Sequence, residues 1–80
     1  MASPTPASAM KRFDSQALYA ALDKQRQERG LTWQALGREI GVSPSTLART
    51  RVGSRLEVDG MLAMVAWLGR PVEDFVKEAP

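Results

Sequence analysis

Apolar residues along this chain recur at spacings of three and four, and no stretch alternates apolar with polar as a half-buried strand would. Leu18, Ala21, Leu22 and Gln25 share one helical face, with Phe13 and Tyr19 beside it, which predicts a first helix over about residues 14 to 29. Asp14 or Ser15 can cap it, Gly30 ends it, and arginines sit in the last turn, where the helix dipole favours cations. Thr32 is a good N-cap, and Leu31 and Leu36 stand at staple positions around it, predicting a second helix over residues 32 to 40. The device repeats eleven residues later: Ser43 caps, Pro44 takes the first helical position, Val42 staples to Leu47, and a third helix runs to Val52. A fourth helix is expected from near Asp59 to Leu68. It carries Met61, Met64, Val65 and Leu68 on one stripe, and Leu62, Ala63, Ala66 and Trp67 make it apolar nearly all round. Pro71 then opens a fifth, short helix over residues 72 to 77.

Five helices in one compact unit make an all-α fold the expectation. Composition narrows what it can do. With 80 residues the chain holds one domain, taken as residues 13–80 behind a flexible tail, 1–12, whose first residues MASPTPASA are small and proline-rich. Cysteine and histidine are absent, which removes disulfides, thiolate or imidazole metal sites and the usual nucleophile–base pairs. No acid pair or phosphate-binding glycine loop appears either, so neither an enzyme nor a cofactor or metal is expected. The longest apolar run, Met61 to Leu68, is too short to cross a bilayer, and the N-terminus lacks an apolar signal core, so a cytoplasmic protein is expected. Net charge is only +2, but it is unevenly placed. Arg49, Arg51 and Arg55 lie in an acid-free stretch, whereas Glu73, Asp74 and Glu78 face a single lysine near the end. A basic middle and an acidic end suit a surface that meets a polyanion.

The connection Gly41-Val42-Ser43 is short enough to hold helices two and three at a steep angle. A small residue, Gly37, stands where the helices cross. Gly41 suits the turn, and Leu36, Ile40, Val42 and Leu47 suit a shared core. With RGLTWQALGREIGVS before the turn and WLGRPVEDF closing the chain, residues 15 to 77 resemble the Cro/phage-repressor (XRE) helix-turn-helix family. The resemblance implies a lambda-repressor-like domain whose helix-turn-helix spans about 32–52, with residues 44–52 lying in the major groove. By position, Ser43, Pro44, Ser45, Ala48 and Arg49 would face the bases, Arg49 being the one long side chain among them. Trp33, Gln34, Thr46, Arg51, Ser54 and Arg55 would meet the DNA backbone.

Three positions depart from the family pattern. Trp33 replaces a frequent glutamine and can either bind phosphate or pack on a neighbouring helix. Thr50 replaces an apolar residue and is expected to weaken packing or end the helix early. Arg51 stands where a glutamate often pairs with an arginine in helix one, leaving Arg26 to find another partner, Glu57 or Glu28. The resulting expectation is a sequence-specific, double-stranded-DNA-binding transcriptional regulator, a repressor of prokaryotic or phage origin, associated with the nucleoid and acting as a homodimer. Leu62, Trp67, Phe75 and Val76 are the candidate dimer contacts, and an additional protein partner is allowed. The alternative is a helical protein-interaction module that uses the apolar 61–68 helix and binds no DNA.

Overall fold

The computed structural model describes residues 11–78. A short strand, β1 (Lys11–Phe13), leads into α1 (Ser15–Glu28), α2 (Trp33–Ile40), α3 (Pro44–Val52) and α4 (Val58–Leu68). A 3-10 turn (Val72–Phe75) then feeds a second strand, β2 (Val76–Glu78). The expected side-chain caps form: Asp14 accepts from the Ala17 N–H at 3.1 Å, Thr32 from Ala35 at 3.0 Å and Ser43 from Thr46 at 3.2 Å. Each is worth about 1 kcal/mol, and together they set where three of the four helices start.

The core gathers one residue set from each helix: Leu18 and Leu22 from α1, Leu36 from α2, Leu47 from α3, and Met64, Val65 and Leu68 from α4. Phe75 closes it from the 3-10 turn. Full burial of such side chains stabilises by roughly 1.5–3 kcal/mol each.

Two sequence expectations fail at the chain ends. The fold is not strictly all-α, and residues 72 to 77 do not form a fifth helix. After one 3-10 turn, Val76, Lys77 and Glu78 extend and pair antiparallel with Phe13, Arg12 and Lys11 respectively. The Asp14 N–H donates to the Phe75 carbonyl at 2.6 Å, and Lys11 Nζ meets Glu78 Oε2 at 3.2 Å, so both ends of the segment are tied to the opposite chain end. A six-residue segment preceded by proline, with no side-chain cap of its own, gains more from this ladder than from isolated helical turns. Of the expected tail 1–12, residues 1–10 lie outside the described residues, while Lys11 and Arg12 belong to the sheet.

A third correction concerns Thr50. It neither ends α3 nor loosens it: the side chain is 0% exposed and the helix runs on to Val52. Its hydroxyl donates to the Thr46 carbonyl at 2.7 Å and lies 3.8 Å from Met64 Sδ. A polar group is thereby buried without an unmet hydrogen bond.

Candidate nucleic-acid interface

The geometry of α2 and α3 follows from two glycines. At Gly41 the backbone turns through φ +91°, a left-handed conformation that costs glycine little, and its N–H caps the Gly37 carbonyl at 2.8 Å. Gly37 is buried where the helices meet. A Cβ there would lie 3.2 Å from the Val42 carbonyl oxygen and 3.3 Å from Leu47 Cδ1. The absence of that atom lets the turn and the root of α3 settle directly onto α2.

Helix α3 turns Leu47 and Thr50 inward, and Ser43, Pro44, Ser45, Ala48 and Arg49 are all exposed. Arg51, Ser54, Arg55 and Gln34 are exposed as well, so each of these residues assigned by resemblance is open to solvent. Thr46 is half-buried, its hydroxyl 3.0 Å from the Ser43 hydroxyl, so it shapes the start of α3 more than it reaches outward.

Trp33 is a packing residue in this fold. Its ring stacks on Tyr19 of α1 at 4.6 Å between centroids and 11° between planes. The Arg26 guanidinium lies 4.9 Å from the same ring. Neither Glu57 nor Glu28 serves Arg26. Its Nη2 and Nε bond Asp23 Oδ1 at 2.6 and 3.1 Å, and Nη1 donates to the Leu31 carbonyl at 2.8 Å. A partner one helical turn away on α1 thus replaces the family's cross-helix pair. The Arg26 hydrogen bond, helped by one from Gln27, holds the Asp23 carboxyl below its ordinary pKa against an opposing effect of burial.

Ion pairing sorts the cations. Lys11, Arg26, Arg29, Arg70 and Lys77 each have an acidic partner. Among the described residues Arg12, Lys24, Arg38, Arg49, Arg51 and Arg55 form no ion pair, and all but Lys24 lie on α2, on α3, or near the loop that follows α3. Sequence spacing alone does not single out two of these arginines. Arg38 lines an apolar groove of about 550 Å³ between α2 and α3, together with Gln34, Gly37, Pro44 and Leu47. Its spacing of four from Gln34 was the available signal. For Arg12 the signal was only its place in the basic pair Lys11-Arg12, which could form an arm; the terminal sheet is what brings it beside the loop after α3.

The candidate dimer contacts separate. Phe75 is 2% exposed and serves the monomer core. Trp67 donates its indole N–H to Glu39 at 2.8 Å, and Arg29 covers its ring at 4.6 Å while also pairing with Glu39 at 3.2 Å. It therefore locks α4 to α1 and α2. Leu62 and Val76 remain exposed, and Val58, one turn before Leu62, is 63% exposed.

No cluster of acidic side chains able to hold a metal ion occurs among the described residues, and none of their helices is long and apolar enough to cross a membrane. No curated protein and no solved structure matches the chain. A family model described as Helix-turn-helix matches residues 22–55, from the middle of α1 to the loop after α3. The domains of that family are DNA-binding regulators, generally without enzymatic activity. Residues 22–55, with α2 and α3 locked at Gly37 and the face of α3 left open, thus match a helix-turn-helix of the XRE type.

Proposed function

We propose that this domain binds double-stranded DNA sequence-specifically and represses transcription by occupying its operator. The observation that carries this reading is the exposed face of α3, which presents Ser45, Ala48 and an unpaired Arg49 with no acid on the helix. Helix α3 enters the major groove. Arg49 pairs with guanine O6 and N7, contributing roughly 1–3 kcal/mol of discrimination, and Ala48 meets a thymine methyl. Ser43, Pro44 and Ser45 approach base edges at the helix start. Gln34 and Arg38 on one side, and Arg51, Ser54 and Arg55 on the other, hold the phosphates; Trp33 contributes its indole N–H where the ring edge reaches the groove. The protein works as a homodimer on half-sites about 34–36 Å apart, in the cytoplasm and on the nucleoid of a prokaryotic or phage-infected cell.

The exposed Val58 and Leu62 on α4 support the dimer and also support the second reading, a protein-interaction module without DNA binding. Selection of bound sequences from random duplex DNA tests the main reading, with Arg49→Ala as the discriminating variant. An enriched motif that Arg49→Ala relaxes at one base pair is expected. No enrichment, with a flat salt response, refutes DNA binding and leaves the interaction module. Sedimentation at micromolar concentration, with and without the selected duplex, tests the dimer, and a persistent monomer in both refutes it.

A further inference from the structure

We infer that Arg12, from outside the matched helix-turn-helix segment, joins Arg55 in a clamp for one DNA backbone phosphate; this rests on the DNA-binding reading above. A cavity of about 480 Å³ lies beyond the C-terminal end of α3, lined by Arg12, Ser15, Ser54 and Arg55 with Phe13 and Met61. It brings together β1, the first residue of α1, and the loop after α3. The Ser15 hydroxyl donates to the Ser54 carbonyl at 3.4 Å, which ties that loop to α1 and sets the cavity wall.

Charge makes the cavity an anion site. Among the described residues no acid lines it and neither arginine has an ion-pair partner. The surrounding cations are satisfied: Lys11 by Glu78 at 3.2 Å and Lys77 by Asp14 at 3.8 Å. The hairpin thus neutralises its lysines and leaves Arg12 free beside Arg55. Both arginines are exposed and line this one cavity, so an anion held there can pair with both. Guanidinium forks match the oxygen geometry of a phosphate better than they match chloride or a single carbonyl.

Position selects the source of the phosphate. α3 has nine residues, so it is about 14 Å long, close to the roughly 12 Å width of the major groove. With its amino end at the bases, its carboxyl end reaches one flanking sugar–phosphate strand, and the cavity lies immediately past that end. The terminal sheet, which the helix-turn-helix match does not include, becomes part of the DNA-binding surface by holding Arg12 there.

The test is a salt titration of binding to a short random-sequence duplex by the full chain, its Arg12→Gln and Arg55→Gln variants, and the double variant. Circular dichroism confirms folding of each. Each single variant is expected to weaken binding roughly three- to tenfold, without change of sequence preference. Because both groups hold one phosphate, the double variant should lose less than the product of the two single losses. Its log–log salt slope should be shallower by about 0.9, so that a fourfold rise in salt weakens wild type roughly 3.5-fold more than the double variant. Arg12→Lys, which keeps the charge, should keep the slope. If wild type binds the duplex and Arg12→Gln matches it in affinity and slope, the clamp is refuted while DNA binding stands. The clamp is likewise refuted if inorganic phosphate titrates the Arg12 and Arg55 side-chain resonances but duplex binding is unchanged in the variants. If wild type binds no duplex at all, the underlying reading fails first.

Discussion

Gly37 offers the sharpest test of how the two helices are set. In Gly37→Ala the new Cβ sits 3.2 Å from the Val42 carbonyl oxygen and 3.3 Å from Leu47 Cδ1, closer than ordinary contact on both sides. The Leu47 methyl can shift, whereas the Val42 carbonyl belongs to the turn and is held in place by the backbone on either side. Alanine recovers up to about 1 kcal/mol of helix propensity over glycine. That gain and the crowding oppose each other, so Gly37→Ala should change stability by no more than about 1 kcal/mol. Gly37→Val surrenders about half of the propensity gain and pushes two methyls one bond further into the same gap. Overpacking of this kind costs roughly 1–3 kcal/mol, and set against the retained propensity gain of about 0.5 kcal/mol the net expectation is a loss of about 1.5 kcal/mol. For a domain of this size each kcal/mol moves the midpoint by about 4–8 °C, so thermal melts followed by circular dichroism should show Gly37→Val lower by roughly 6–12 °C. A valine variant melting within about 4 °C of wild type would mean that α2 and α3 do not meet at this point.

Thr50→Val replaces a buried hydroxyl by a methyl of similar shape. The lost bond to the Thr46 carbonyl, worth about 0.5–1.5 kcal/mol, is offset by burial of the methyl, and urea denaturation should show a change below about 1 kcal/mol. A loss above about 3 kcal/mol would show that the hydroxyl carries more of the α3–α4 packing than one hydrogen bond accounts for. Asp23, whose carboxyl is held below its ordinary pKa by Arg26, contributes stability that is fully present above the unfolded value near 3.9. That contribution disappears as pH falls through the lower folded value. The stability difference between wild type and Asp23→Asn, followed by denaturation from about pH 6 downward, should therefore shrink below about pH 4. A difference that stays constant or grows on acidification contradicts the Arg26 pairing.

The central helices were legible because their limits are local. Thr32 and Ser43 cap amides three residues ahead, Pro44 stands where no N–H is needed, and Gly41 supplies the left-handed turn; each device is complete within its own few residues. The inward Leu36 and Leu47 and the outward Pro44, Ala48 and Arg49 follow from the same helical period. The ends were not legible for the opposite reason. Whether Val76-Lys77-Glu78 coils or extends depends on Phe13-Arg12-Lys11, more than sixty residues away, and no local spacing encodes that partner. Side chains with long reach behaved likewise. Trp67 took Glu39 across the domain, whereas Arg26 and Thr50 took partners three and four residues back on their own helices, where the choice among several candidates was settled by packing. Sequence alone therefore determined the helix-turn-helix and the face it exposes, since its caps, its turn and the Gly37–Leu47 crossing all fall within residues 32–52. Only the tertiary structure decided the terminal sheet, the loss of Phe75 and Trp67 as free surface, and the placing of Arg12 and Arg55 on one cavity, because each requires distant segments to be brought together first.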